Sequence, residues 1–348
     1  MTDHVYYDLS FSNTLTTPVQ ALLFENRTSP LIKNPNDYHL SVVRFTVPTS
    51  YIPIFIWPTI GNNLPNNAFF SVTIRYLGVD HRRYLAYAPL NNLTSVDENY
   101  LFVYSYQQFI DSINDALNIA FIASGGPATA PPFMVYDAPT GLFSLVAQFA
   151  YANSIGDYGV FFNAPLFKYF DNFKVIRNGF NQLNGKDVQF FIENKGNNYW
   201  NGAVNNFYNT GTPDSYQMLQ EYDSLFSWNT ARSLLLISNT VPVAQESVNV
   251  QTQGQNSTGS NYRRILTDFE FNLQSGIDNN TLRSYIQYAP PGEYRLLTLE
   301  SNQPLFTFDI QFFFLTADQK IYPLFINPNE YVSVKILFRK KYLKGISL

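Results

Sequence analysis

Few side chains in this 348-residue chain could do proton or metal chemistry. There are three histidines, His4, His39 and His81, and no cysteine. Without cysteine there are no disulfides, thiolate metal sites or cysteine nucleophiles. A histidine-based triad would need one of the three as its base, and no Gly-x-Ser-x-Gly elbow accompanies any of them. His39 falls inside a predicted strand with no second histidine near it in sequence, so it reads as a strand side chain before it reads as a ligand. No His-x-x-x-His pair, phosphate loop or dinucleotide fingerprint is present. Asp97-Glu98 would serve a glycosidase only if the fold set two carboxylates at the required separation, which is a spatial property. Asp111 and Asp115 lie one turn apart on the wet face of a predicted helix, where carboxylates are commonplace. His81, Arg82 and Arg83 at a predicted hairpin tip could grip a phosphate, but arginines at turns are usually just solvated. The reading is therefore of a non-enzyme: no catalytic, cofactor-binding or metal-ligating residue is nominated, and no cofactor is expected.

Composition supports a structural role. Hydrophobic residues make up 45% of the chain and charged residues only 14%, well under the usual quarter. Asn, Gln, Ser and Thr fill the gap, predicting a polar but weakly charged surface. With 31 Phe and 25 Tyr, a large core is easy to build, and aromatics remain for contacts between subunits. The net charge of −4 offers no global basic field to nucleic acid. The basic C-terminus, Arg339, Lys340, Lys341 and Lys344, could touch packaged nucleic acid but reads equally as a solubilising strand end; no contact is expected beyond it. The start, Met1-Thr2-Asp3-His4, lacks a signal-peptide pattern, and no apolar run reaches the ~20 residues of a membrane span. The expectation is a soluble protein made in a cytosol or nucleus, where the sequons at Asn26, Asn92, Asn256 and Asn279 are chance products of an Asn- and Thr-rich chain.

The elements are mostly strands. Phe306, Phe308, Ile310, Phe312 and Phe314 alternate with Thr307, Asp309 and Gln311, the period-two mark of a strand with one face in a core; the second face turns apolar at Phe313 and Leu315. Val332, Val334, Ile336 and Phe338 alternate with Ser333, Lys335 and Arg339. Asn34-Pro-Asn-Asp-Tyr38 launches a strand over 39–47, and Asn327-Pro-Asn-Glu-Tyr331 launches the last one. The echo is attributed to shared turn chemistry more than to duplication. An N-terminal arm precedes a short strand near 21–24. Pro48, Pro53 and Pro58 keep the segment between them out of a central strand and suit an edge, a groove between subunits or a cap on its own sandwich. Hairpins are predicted around 77–80 and 137–141, and one helix over 105–123. Ser105 and Gln108 form its capping box, Phe109, Ile110, Ile113, Leu117, Ala120 and Phe121 its apolar stripe, and Gly125-Gly126 its stop. The frequent Gly and Asn between the hairpins and Trp200 imply many tight turns, and 244–261 reads as an exposed loop. The fold class is all-β, with 1–104 and 228–348 as the two parts of one sandwich and 105–227 as a helix-bearing insertion or second subdomain.

Five islands, in order, carry a family resemblance. They are Val103-Tyr-Ser-Tyr-Gln-Gln-Phe-Ile-Asp-Ser-Ile-Asn-Asp-Ala-Leu117, Pro132-Phe-Met-Val-Tyr-Asp-Ala-Pro-Thr-Gly-Leu-Phe-Ser144, Ile265-Leu-Thr-Asp-Phe269, Ala289-Pro-Pro-Gly-Glu-Tyr-Arg295 and Val334-Lys-Ile-Leu-Phe-Arg-Lys-Lys341. Together, over roughly residues 35–341, the chain resembles minor capsid (penton-type) proteins of small eukaryotic DNA viruses of the virophage and polinton-like group. The resemblance implies a jelly-roll fold and a structural virion protein, assembled inside the host cell, that closes the vertices of an icosahedral capsid. It implies a homopentamer contacting a double jelly-roll major capsid protein. Because family pentons are often shorter, 105–227 reads as an added domain. It brings no site residues with it, since the family's motifs are structural. The alternative is a receptor- or glycan-binding module such as a fibre head or vertex projection, with a host receptor as partner. The Tyr- and Asn-rich stretch 184–222 motivates it, because aromatic and amide groups suit sugar faces and hydroxyls.

Overall fold

The computed structural model describes residues 4–61, 64–89, 100–176, 187–193, 215–228, 231–248, 251–252, 261–270, 285–289, 295–317 and 320–341. Asp97-Glu98, Asn92, 253–260, Asn279, Lys344 and most of 184–222 lie outside them. The chain divides into two compact units, Met1–Pro53 with Thr230–Leu348, and Ile54–Asn229. The expected divisions were 104/105 and 227/228. The second unit starts far upstream of 105 because strands over 71–84 pair with one over 158–163 and so belong with the helix.

In chain order the longer strands of the first unit begin with β1 (His4–Ser12), β2 (Leu22–Asn26) and β3 (Tyr38–Pro48). The second unit carries β4 (Ser71–Tyr76), β5 (Val79–Tyr84), α1 (Tyr106–Ser124), β6 (Phe133–Asp137), β7 (Leu142–Gln148), β8 (Tyr158–Asn163), β9 (Asp187–Gln189) and β10 (Ser215–Leu219). The chain then returns to the first unit with β11 (Ala231–Ser238), β12 (Glu246–Val248), β13 (Asn261–Glu270), β14 (Tyr285–Tyr288), β15 (Thr307–Thr316), β16 (Lys320–Pro323) and β17 (Tyr331–Lys340). The stretch 244–261, expected as a loop, is strand at Glu246–Val248 because it pairs there with β13.

The first unit is a sandwich of two mainly antiparallel sheets, with one short parallel pair at Gln251–Thr252 and Lys320–Ile321, the jelly-roll expected of it. One sheet runs β1-β17-β3-β14; the other runs β12-β13-β11-β15-β16, with β2 on the same edge of β15 as β16. The last strand lies between two strands from the start of the chain. It pairs with β1 from His4↔Arg339 to Ser12↔Tyr331 and with β3 from Lys340↔Tyr38 to Ser333↔Thr46. The N-terminal arm thus packs within its own chain. The two launch loops fold differently: Pro35–Asp37 is a 3-10 turn, whereas Asn329 adopts φ 66°.

Period-two patterning fixes which residues meet between the sheets. Phe308, Ile310, Phe312 and Phe314 of β15 are fully buried, each worth about 1.5–3 kcal/mol relative to exposure. Phe308 meets Phe338 edge-on at 6.4 Å and Tyr7 at 6.1 Å. Phe306 departs from the predicted stripe: it precedes the strand and is 40% exposed. The other face of β15 is apolar too, where Phe313 and Leu315 pack with Leu235, Ile237, Ile265 and Ile321.

Asp309 breaks that pattern, being only 5% exposed in a strand read from sequence as wet on this side. Its Oδ1 accepts from Ser238 Oγ at 2.9 Å, from the amides of Asn239 and Thr240 at 2.9 Å each and from Thr240 Oγ1 at 2.8 Å. Its Oδ2 accepts from Gln311 Nε2 at 3.0 Å. The carboxylate therefore clamps the turn that ends β11. Burial pushes the Asp309 carboxyl up, but the hydrogen bonds from Thr240, Ser238 and Gln311 outweigh it and hold it below the ordinary range.

In the second unit, α1 begins at Ser105, whose side chain accepts from Gln108 N at 3.1 Å, and stops at Gly125 with φ 62°. Gln108 reaches back to Tyr104 N at 3.2 Å, one residue before the amide a capping box would use. Asn114 exchanges two hydrogen bonds with the Met134 backbone, Nδ2 to O at 2.9 Å and N to Oδ1 at 2.7 Å. Those bonds tie the helix to β6. The proline-spaced segment supplies Phe55–Ile56, paired with Phe102–Val103, and the buried Phe55 and Trp57. Phe55, Trp57, Phe70, Phe109 and Trp228 then share one aromatic cluster, with Phe109 edge-on to Trp228 at 5.1 Å. The β4–β5 turn is two residues long, Leu77-Gly78, both at positive φ, which favours glycine at the second position.

Two predictions follow from the packing. Phe308→Asp and Phe312→Asp should abolish soluble expression, while Gln311→Ala should stay soluble and lose about 0.5–1.5 kcal/mol with its bond to Asp309. Soluble, folded Asp variants in a fractionation and circular dichroism test would contradict the core assignment. For Asp309, a lowered folded pKa means the ionised form stabilises the fold above about pH 4, and this is lost as pH falls through the folded value. The urea-stability gap between the native protein and Asp309→Asn should therefore shrink between about pH 5 and pH 3; a constant gap would contradict the clamp.

Candidate assembly surface

One side of the sandwich is bounded by two edge strands, β1 in one sheet and β2 in the other. The inner residues of β1 close the core: the Tyr7 ring meets Phe338 at 5.8 Å, and its hydroxyl donates to Leu31 O at 3.2 Å. The Arg27 guanidinium sits 5.4 Å over the same ring. The outward row of β1 is His4, Tyr6, Asp8, Ser10 and Ser12, and a few large apolar side chains stand open beside it. Tyr6 is 55% and Phe24 61% exposed, with Leu22 and Phe306 beside β15 also open. Lys335 Nζ lies 5.5 Å over the Tyr6 ring and 3.0 Å from Asp8 Oδ2, while Arg44 reaches Asp8 Oδ1 at 3.3 Å. The hydrogen bond from Lys335 leads the effects holding the Asp8 carboxyl below its usual range. A nine-residue edge strand without proline, flanked by exposed aromatics, has the character of a contact surface. Proteins that stay alone usually blunt such an edge.

The groups considered for chemistry are dispersed. His4 and His39 both stand opposite Arg339, on either side of β17, so the register brings them into one row with a guanidinium between. Strand spacing of about 4.8 Å puts the two histidine backbones roughly 10 Å apart, with a cation between them, unlike a metal site. His39 Nδ1 is 3.3 Å from Thr298 Oγ1. His81, Arg82 and Arg83 lie on β5 and not at the hairpin tip, because the turn is Leu77-Gly78. Arg82 forms an ion pair with Asp187, and the Arg83 guanidinium bonds the carbonyl of Arg82 at 3.0 Å, so both guanidiniums have partners within the chain. Asp111 and Asp115 are exposed on α1, and Gln107 donates to Asp111 at 2.8 Å. At the basic end, Lys341 Nζ is 3.3 Å from Leu299 O and its amide bonds Asp37 O at 2.7 Å. Asn26 Oδ1 accepts from Thr307 at 2.9 Å. Among the described residues no group of three or more His, Cys, Asp or Glu could hold a metal ion, and no helix is long and apolar enough to cross a membrane.

Sequence reading missed two things here. It singled out neither Tyr6 nor Phe24 as exposed, and the available signal was the combination of alternation with a position at the sheet edge, which only the topology supplies. It also gave Asp309 no role beyond its place on the second face of the strand.

Comparison with known proteins places this geometry. The family model described as Sputnik minor capsid protein V18/19 matches residues 5–340. "Structural protein V19" of Sputnik virophage is 30% identical over 210 residues, which covers 60% of this chain and 94% of that protein. "Uncharacterized protein V18" of the same virophage is 34% identical over 157 residues, covering 38% and 92%. A chain in the 3.5 Å cryo-EM structure of the Sputnik virophage superposes with a TM-score of 0.75 at 29% identity, covering 98% of this chain and 99% of that one. The crystal structure of the selenomethionine-labelled mavirus penton protein gives 0.68 at 16% identity, covering 97% and 99%; that likeness is one of fold.

Proposed function

Because this chain belongs to the Sputnik minor capsid protein family and is a structural protein of the virion, we propose that it is the vertex subunit of the capsid. In this reading it forms a homopentamer around each five-fold axis and contacts a double jelly-roll major capsid protein. The observation that carries the proposal is the end-to-end match of both units to the fold of the mavirus penton protein. In this reading the role is structural. The β1/β2 side supplies the contact between neighbouring subunits: a long proline-free edge next to Tyr6 and Phe24, where apolar area is already exposed. A second reading, glycan recognition by the same virion protein, is favoured by a cavity in the second unit.

Mass photometry of the purified protein tests the stoichiometry. Particles of five chain masses, seen as five-fold rings in negative stain, are expected. Phe24→Glu should shift them toward monomers without changing the circular dichroism spectrum. Trimers, or monomers at micromolar concentration, would contradict the vertex assignment, and pentamers indifferent to Phe24→Glu would move the contact elsewhere.

A further inference from the structure

A cavity of about 550 Å³ opens in the second unit, within the range of small-ligand sites. Its walls come from three stretches of chain that the backbone holds in fixed relation. Phe191 N donates to Lys174 O at 2.9 Å, Ile176 N to Gln189 O at 2.9 Å and Glu221 N to Asn172 O at 3.2 Å. The Asn172 side chain adds bonds to Tyr222 O at 3.2 Å and Asp223 O at 3.4 Å. The frame of the cavity is thus set before any ligand arrives.

What the frame presents is chemically specific. Tyr222 lines the cavity and is 64% exposed, an open aromatic face next to a polar hollow. Asp171 and Glu221 line it as well, both exposed and without a side-chain partner among the described residues. Lys174, the cation in the lining, is 3.4 Å from Glu193 and so already paired. An aromatic face beside free carboxylates matches a sugar ring: its C–H face lies on the ring, and its adjacent hydroxyls donate to carboxylate oxygens that only accept. In a chain with only 14% charged residues, two unpaired carboxylates in one hollow are conspicuous.

The charge selects among ligands. With Lys174 paired, Asp171 and Glu221 leave the hollow net negative, which repels sialylated, sulphated and phosphorylated groups. A bound metal is not what the carboxylates are set for, since they form no group of three or more His, Cys, Asp or Glu with others among the described residues. We propose that this cavity binds a neutral oligosaccharide, with Tyr222 as the stacking platform and Asp171 and Glu221 as hydroxyl acceptors. The inference is independent of how many subunits assemble. A pentamer would multiply a weak single-site affinity by avidity, while an isolated subunit would keep the site.

An array of neutral hexose, deoxyhexose and N-acetylhexosamine oligosaccharides, alongside sialylated and sulphated ones, is the test. It is run in chelator so that no cation bridges the carboxylates, and hits are then titrated as soluble glycans so that avidity does not enter. Neutral glycans should bind. Tyr222→Ala should weaken them by about tenfold or more, and Asp171→Asn with Glu221→Gln should also weaken them. Tyr84→Ala, an exposed tyrosine away from the cavity, should change nothing. Tyr222 is at the surface, so thermal melting should confirm that its variant stays folded. An array blank for neutral sugars, binding of anionic glycans only, or neutral binding indifferent to both sets of variants would each overturn the proposal. None of these outcomes bears on the stoichiometry, which mass photometry reads separately.

Discussion

The fold of the first unit depends on the hydrogen-bonded ladder that sets β17 between β1 and β3. It joins residues from the beginning of the chain to residues from its end, with the whole second unit lying between them in sequence. Closing so long a loop is less costly than intuition suggests, since each doubling of length adds only about 0.6 kcal/mol. Against that, Val332, Val334, Ile336 and Phe338 are almost wholly buried, and each contributes about 1.5–3 kcal/mol. The ladder can therefore carry an inserted unit of any ordinary size. Its cost is kinetic, because contacts this distant in sequence form late.

The scarcity of charge has a counterpart inside the structure. Where another protein would use ion pairs, this one often uses amides to hold backbone at loops and strand ends. Asn13 donates to Thr17 O and Ile326 O, Asn163 accepts from Ser71 N, Gln220 from Phe143 N, and Gln148 from the amides of Thr129 and Ala130. These bonds escape the desolvation penalty of buried ions and suit a protein whose work is to keep one shape. Asp309 is the exception, and it survives burial because donors surround its oxygens. The same economy leaves aromatics such as Tyr6 and Phe24 exposed at the sandwich edge.

Much of this was legible in the sequence, for identifiable reasons. Strict alternation at 307–314 and 332–338 revealed the core faces, because a strand's side-chain period is fixed at two. Ser105, Gln108 and Gly125 marked both helix ends. The islands of family resemblance pointed to a capsid protein. The start of the second unit was not legible. β4 and β5 look like any hairpin until β8, far along the chain, pairs with β4. Nor was Asp309, since alternation predicts a wet face and says nothing of a turn folding over it. Amides are expected at the surface, yet Asn114 and Gln220 are buried and tie Met134 and Phe143, twenty residues away or more. The cavity at Tyr222 was foreshadowed only by composition, as an Asn- and Tyr-rich stretch.

The claim on which the rest stands is that the β1-β17-β3 ladder holds the first unit shut. Native-state hydrogen exchange read by mass spectrometry tests it most directly. Peptides covering β17 and β3 should fall together in the slowest-exchanging class of the first unit, opening only when that unit unfolds as a whole. Exchange of β17 as fast as the exposed β5 hairpin strand, with β3 and β15 still protected, would show that the sandwich closes without it and would contradict the account.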